Sequence, residues 1–305
     1  MDKINCSLDG ITICIPVYNH DMSNLVRELS LQATTLSIPY QILLIDDASH
    51  SFKQDNRLLS SLFPNISYEE LPENIGRSKI RNLLARKAKY DRLLMMDCDC
   101  QIRHTDFLKK YIEASNHLVV CGGTKFDENP IDSDHILRWK YGKKREEFTA
   151  EECNSNSDKT FRSSNFLILK SIFDEVKFDE TLVGYGHEDT LFGFSLKKKG
   201  IKVKYIDNAT FHDDLASTNI YLKQVDNSLK NLLKIYKKIA PEDKKTFLNM
   251  NPSLRVSHTL KILHLSPFIS FLFKLFRPLI EKNLRSNNPF IRVLDFYKLG
   301  ILMQN

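Results

Sequence analysis

Two carboxylates one residue apart, Asp97 and Asp99, follow directly on the apolar run Arg92-Leu-Leu-Met-Met96. A hard divalent cation takes oxygen ligands, and Mg2+ or Mn2+ is commonly held by one or two carboxylates together with substrate phosphates. The pair is therefore the first candidate for a metal site. Asp is also common in turns, which is the plainer reading of the same two residues. Cys98 and Cys100 interleave with them, but a thiolate zinc site needs four matched ligands, and the sequence has no CxxC pair. His212, after the apolar run Ile201 to Ile206 and before Asp213-Asp214, could complete a metal shell, although a lone His is more often structural.

A second group lies at Gly184-Tyr-Gly-His-Glu-Asp189. Glu188 and Asp189 open a helical pattern, where acidic residues favour the positive end of the helix dipole. One of them could instead act as a general base on a hydroxyl, and the other could accept hydrogen bonds from sugar hydroxyls. Gly186 would let a ligand approach the backbone closely. His187-Glu188 does not begin a zinc HExxH motif, because position 191 is Leu. Further polar residues are Pro16-Val-Tyr18-Asn19, Asp46-Asp47, and Asn74-Ile-Gly76 leading to Arg81-Asn82. A helix N-terminus carrying an Arg one turn in attracts phosphate. Arg77, Lys79, Arg86 and Lys87 make the same helix simply basic, which is the alternative reading of Arg81.

The elements that would carry these residues alternate. Strands are predicted at Ile11–Ile15, Gln41–Ile45, Ile66–Leu71, Arg92–Met96 and His117–Cys121. Helices are predicted at Met22–Leu36, Phe52–Phe63, Gly76–Ala88 and Thr105–Ser115. Such β-α repetition implies an α/β fold, a mostly parallel sheet with helices on both faces. Ligands in such sheets sit beyond the strand C-termini, where the polar groups fall. Residues 126–160 break the pattern and read as a long polar excursion. Order resumes with a strand at Asn165–Leu169, a helix from Glu188 to Lys199, a Gly200 stop and a strand at Ile201–Ile206. After Asp214 the chain reads as helical throughout.

Composition agrees with a folded protein of 305 residues, 42% hydrophobic and 27% charged. Its net charge of +6 is unevenly placed: residues 1–229 sum to −4 and residues 230–305 to +10. A basic terminal segment suggests an anionic partner. The segment from Phe268 to Leu284 places Ser270, Lys274, Arg277, Glu281 and the following Arg285 on one helical face, and Phe271, Leu272, Leu275, Phe276, Leu279 and Ile280 on the other, with Pro278 expected to kink it. A basic face opposite Phe and Leu suits an anionic membrane surface rather than nucleic acid. A helix packed on the domain, or a dimer surface, is the alternative, and oligomeric state stays open. No uncharged run approaches the roughly 20 residues of a spanning helix. The N-terminal apolar run lacks a basic region before it, so no signal peptide is expected. Six cysteines without a secreted framework point to a reducing cytoplasm.

In order, these motifs resemble the family 2 glycosyltransferases of the GT-A fold. Ile15-Pro16-Val17-Tyr18-Asn19, Asp46-Asp47-Ala48-Ser49, Asn74-Ile-Gly76 through Arg81-Asn82, Met96-Asp97-Cys98-Asp99, Gly184-Tyr-Gly-His-Glu-Asp189 and His212 carry the resemblance, which covers roughly Ile11 to Asp214. Cys100 stands where that family often has a third Asp, and His187 where the galactosyltransferase-type motif has Gly. The resemblance implies an inverting transfer from a nucleoside-diphosphate sugar, UDP first, to a hydroxyl of a glycan or lipid-linked glycan in surface polysaccharide synthesis. It implies that Pro16, Tyr18, Asn19, Asp46, Asp47, Gly76, Arg81 and Asp97 bind the nucleotide sugar. Asp99 and His212, with Asp97 beside them, would hold Mn2+ or Mg2+. Asp189 would be the base, and Glu188, Gly186 and Trp139 would bind the acceptor. The domains expected are 1–215, catalytic, with a nucleotide-sugar half to about 125 and an acceptor half from 126, and 216–305, a helical region attached to the inner face of the cell membrane. Two rivals remain at this point. A sugar nucleotidyltransferase would normally need a Gly-rich basic loop after the first strand, and Tyr18-Asn-His-Asp21 has neither feature. An inactive membrane-associated binding module would not need Asp97, Asp99, Asp189 and His212.

Overall fold

The computed structural model describes residues 9–156 and 161–304; Cys6 lies outside them. The first half runs β1 (Ile11–Val17), α1 (Ser23–Ala33), β2 (Tyr40–Asp46), α2 (Lys53–Leu62), β3 (Ile66–Glu70), α3 (Arg77–Lys87) and β4 (Arg92–Met96). β1 pairs in parallel with β2 and β4, and β2 with β3, so the ends of β1, β2 and β4 share one edge. The apolar runs form these strands because their side chains alternate between two cores. Ile11, Ile13, Ile15 and Val17 face α1 together with Phe107, Leu108 and Tyr111, while Cys14, Leu43 and Ile45 face α3.

After β4 come β5 (Cys100–Gln101), α4 (Phe107–Glu113), β6 (Val119–Cys121), β7 (Thr124–Lys125), α5 (Ile136–Arg145), α6 (Ala150–Ser155), β8 (Asn165–Leu169), α7 (Lys170–Val176), α8 (Glu188–Lys198), β9 (Val203–Tyr205) and β10 (Thr210–His212). The main sheet has the order β3-β2-β1-β4-β8-β6-β9, with β8 antiparallel to both β4 and β6. A second, three-stranded sheet has the order β5-β10-β7.

The expected strands and helices of the first half are present within a few residues. The predicted excursion over 126–160 is more ordered than expected. It holds α5 and α6, and α6 is started by a capping box in which the Thr149 hydroxyl accepts from the Glu152 N–H at 3.2 Å. Gly142 lets α5 lie against Phe126, since a Cβ there would stand 2.4 Å from the ring. The strands β5, β7 and β10 were not expected, because two or three residues show no periodicity.

The remainder is helical as predicted: α9 (Thr218–Lys238), α10 (Lys244–Met250), α11 (Pro252–Ile262), α12 (Ser266–Leu284) and α13 (Ile291–Gln304). Pro278 lies inside α12 without ending it. These helices share one apolar cluster with Leu137 of α5 and Phe194 of α8. Phe273 of α12 sits on Gly300 of α13, where a Cβ would be 2.2 Å away. The burial of α12 departs from the two faces read in its sequence. Phe273, Ile280 and Leu284 turn inward, and Phe268, Phe271, Leu275 and Leu279 turn to solvent.

Candidate active site

The turn after β2 is held by its own carboxylates. Asp46, fully buried, accepts from the Ser49 N–H at 2.7 Å and the Tyr68 hydroxyl at 2.9 Å. Asp47 accepts from the N–H groups of Ile75 at 2.7 Å and Gly76 at 3.0 Å, which fixes the start of α3. Burial pushes the Asp47 carboxyl up, against the pull of those two hydrogen bonds. Gly76 has φ +85°, a conformation that glycine adopts freely. Asn19, at φ 51°, accepts from the His50 N–H at 2.7 Å and donates its own N–H to the Ser49 hydroxyl at 2.8 Å. Tyr18 beside it is half exposed, and Pro16 is partly covered.

One turn into α3, the buried Arg81 donates through Nη2 to Asp97 Oδ1. Asp97 follows β4, and its N–H donates to the Ser164 carbonyl at 3.0 Å. Two residues on, Asp99 is brought to His212 by the small sheet: Cys100 is the register partner of His212, and the Asp213 N–H donates to the Asp99 carbonyl at 2.9 Å. His212 Nδ1 stands 3.5 Å from Asp99 Oδ2 and is buried without a hydrogen-bond partner. A buried ring nitrogen without a partner, beside a carboxylate oxygen, fits a divalent cation that takes nitrogen and oxygen ligands. No three His, Cys, Asp or Glu side chains form a ready ligand set among the described residues. A cation here would need further oxygens from a bound phosphate.

The Gly184–Asp189 segment is shaped by α9. Gly186 (φ +99°) approaches Ser228 so closely that a Cβ would be 2.4 Å from the Ser228 Cβ. Asn231 Nδ2 donates to the carbonyls of Val183, Tyr185 and Gly186 at 3.2 to 3.4 Å. His187, at φ 69°, precedes α8, and burial, reinforced by Lys298 and Arg162, holds its imidazole neutral with a pKa of about 4. Glu188 is buried and pairs with Arg77 at 3.6 Å, and Arg77 in turn lies 5.1 Å from the centre of the Tyr185 ring. Asp189 accepts from the Thr190 N–H at 2.7 Å. Burial and the neighbouring Glu188 push its carboxyl up to about 6, while Arg162 pulls the other way.

A cavity of about 360 Å³ brings together Arg81, Asp97, Asp99, His212, Gly186, Glu188 and Asp189. Pro16, Tyr18, Asn19, Asp46, Asp47 and Gly76 are not among its lining residues. Trp139 is not either: its indole N–H donates to the Asp127 carbonyl at 2.8 Å, and its neighbour Arg138 lines the cavity instead. Sequence reasoning missed Arg77, Arg138, Glu146, Arg162 and Lys298, which also line it. Arg77 stood in a basic stretch read as solvated, and Arg138 and Glu146 in a segment read as irregular.

Residues 12–177 match the family described as Glycosyl transferase family 2. Chondroitin synthase of Escherichia coli is 23% identical over 242 residues, covering 68% of this chain and 35% of that protein. The chain thus spans about a third of that relative's length. Among solved structures, S. aureus TarS 1-349 superposes with a TM-score of 0.52 at 17% identity, over 95% of this chain and 90% of that one. Mannosyltransferase PcManGT from Pyrobaculum calidifontis, in complex with GDP-Man and Mn2+, gives 0.56 at 13% identity, over 100% of this chain and 87% of that one.

Proposed function

The chain belongs to glycosyl transferase family 2 and is a glycosyltransferase of GT-A fold, and from that premise we propose that it moves a sugar from a nucleoside diphosphate to a glycan or lipid-linked glycan hydroxyl with inversion. The single observation that carries the reading is the cavity that joins Asp99 and His212 to Glu188 and Asp189. The acceptor hydroxyl attacks the anomeric carbon while Asp189 takes its proton. The bond from that carbon to the diphosphate oxygen breaks on the opposite side. One in-line displacement inverts the centre and needs no protein nucleophile. Glu188, fixed by Arg77, accepts hydrogen bonds from acceptor hydroxyls. Arg81 holds Asp97 in place for the ribose, and the Pro16 to Asn19 and Asp46-Asp47 turns frame the base. Asp99 and His212 would hold Mn2+ or Mg2+, which offsets the charge growing on the leaving diphosphate. PcManGT is solved in complex with GDP-Man and Mn2+, which supports such a donor and cation.

UDP-sugars are the first donors to test, with GDP-sugars beside them. A panel of both is screened by thermal shift and by nucleotide release, with and without Mn2+. A Mn2+-dependent response to at least one donor is expected; no response to any donor would overturn the reading.

No helix among the described residues is long and apolar enough to cross a membrane. The second part of the reading is that residues 216–305 attach the enzyme to the anionic inner face of the cell membrane, where surface polysaccharide is built. The solvent-facing Phe and Leu side chains of α12 support it. So does the +10 charge of residues 230–305.

A further inference from the structure

The cavity wall carries a charge cluster that the transfer step leaves unused. Arg138 of α5 is 6% exposed and lines the cavity. Its Nη2 pairs with Glu146 Oε2 at 2.9 Å, while its Nη1 is buried without any hydrogen-bond partner. Arg162 reaches the same carboxylate at 3.4 Å. Burial opposes the charge of Glu146, yet Arg138 and Arg162 hold its carboxyl down at about 2. Two guanidiniums therefore share one carboxylate that is ionised throughout the working range. Lys298 of α13 adds a third cation; its Nζ lies 3.9 Å from the centre of the Tyr141 ring, with no carboxylate partner among the described residues.

Arg138, Arg162 and Lys298 stand against Glu146 and Asp189, which leaves a net positive charge on this part of the wall. A buried charged donor without an acceptor is costly, by about 1–3 kcal/mol or more, and such groups in native structures call for an explanation. A sugar hydroxyl could satisfy Nη1 but would leave the excess charge in place. A carboxylate or phosphate does both, and its oxygens match the planar guanidinium fork. The cluster also has a definite place. Arg162 acts on Asp189, and Arg162 and Lys298 both act on His187. The remaining cavity cations are already engaged, Arg77 with Glu188 and Arg81 with Asp97.

We propose that the acceptor carries an anionic group, a carboxylate or a phosphate, close to the attacked hydroxyl, and that Arg138, Arg162 and Lys298 bind it. This rests on the assignment of Asp189 as the base on the acceptor side. The anion orients the acceptor, so its oxygen reaches the anomeric carbon in one pose.

Isothermal titration of the full chain, preloaded with UDP and Mn2+, tests this with methyl β-glucuronide, inorganic phosphate and methyl β-glucoside. At least one anion is expected to bind, the neutral glucoside not to, and added salt to weaken the binding. The tighter anion assigns the group as carboxylate or phosphate. Lys298→Gln, on a partly exposed side chain, and Arg138→Gln are each expected to weaken that binding at least ~10-fold. Should Arg138→Gln misfold through loss of its pairing with Glu146, Lys298→Gln alone decides. Binding of neither anion, equal binding of the glucoside, unchanged affinity in Lys298→Gln, or displacement of the anion by UDP each overturns the proposal. A wild-type chain that binds the anion yet turns over no nucleotide sugar supports the subsite and overturns the donor reading instead.

Discussion

His212 presents Nδ1 to Asp99 Oδ2 at 3.5 Å, and the antiparallel ladder that brings the two together is two residues long. Residues more than a hundred positions apart are thus joined by Phe211 opposite Gln101 and His212 opposite Cys100. A cation seated between them would be lost if either ligand went. Asp99→Asn and His212→Ala are each expected to abolish the Mn2+-dependent thermal shift and to lower turnover by about 10²-fold. Chelation of wild type by EDTA should give a similar loss, restored by Mn2+. Retention of the full Mn2+ response in both variants would remove these residues from the metal site.

As the proposed base, Asp189 would tie activity to pH in one direction and stability in the other. Its folded pKa, about 6, is raised above the ordinary carboxylate value by burial and by Glu188, with Arg162 opposing and Glu146 adding a smaller upward push. The base works only when ionised, so turnover should fall as pH drops below about 6. The sign for stability is the reverse. The protonated carboxyl contributes stability that is fully present below its unfolded pKa and lost as pH rises through about 6. Asp189→Asn should therefore lose transfer by about 10³-fold. Discounted to about 1 kcal/mol for its partial solvent access, the same change should raise Tm by about 2 °C at pH 8. The gain should vanish near pH 4, as scanning calorimetry across that range would report. Near-normal turnover in this variant would refute the base assignment.

The parts of this site legible in the sequence were those attached to strong periodic strands. Asp97 and Asp99 follow β4 directly, and the Asp46-Asp47 pair ends β2, so a buried run was enough to place them. The structure shows Asp46 and Asp47 bracing the turn with Ser49 and the start of α3, the turn role that Asp at a strand end commonly takes. Arg138, Glu146 and Lys298 were illegible for another reason. They come from a helix hidden in a polar segment and from the penultimate turns of the chain, and only tertiary packing brings them to one wall. In α12 the apolar group read from periodicity stays largely exposed, while Phe273 and Leu284, which that grouping left out, turn inward, Phe273 against Gly300.

Arg81 is buried, and its partner Asp97 is only partly covered. Removing the guanidinium leaves a carboxylate without its charge partner beside the cavity. For a fully buried pair this costs about 3–5 kcal/mol. With Asp97 partly solvated, Arg81→Met is expected to cost about 2 kcal/mol, or roughly 4 °C in Tm. Asp97→Asn, which keeps an acceptor for Arg81, should cost less. Donor affinity should fall in both, read as a higher KM for the nucleotide sugar. A Tm drop as large in Asp97→Asn as in Arg81→Met would show that the pair is not what holds this end of α3.

The outward face of α12 sets the last expectation. Phe271 is 62% exposed and Leu279 is 63% exposed, with Phe268 and Leu275 beside them and Ile262 and Leu263 at the end of α11. Contiguous apolar exposure of this kind marks an interaction surface. Lys274 and Lys282 are exposed on the same helix, and each basic residue near an anionic bilayer adds about 1 kcal/mol. The full chain should therefore co-sediment with vesicles containing phosphatidylglycerol, less with pure phosphatidylcholine, and less again at high salt. Phe271→Glu combined with Leu275→Glu changes two exposed positions, so the fold should be kept, as circular dichroism can check. Losing two partly immersed side chains should remove about 2–4 kcal/mol, a fall in partitioning of about 30-fold or more. Sedimentation velocity separates the alternative. If the wild type is a dimer and the double variant a monomer, with vesicle binding unchanged, the apolar face belongs to a second copy of the chain and not to lipid.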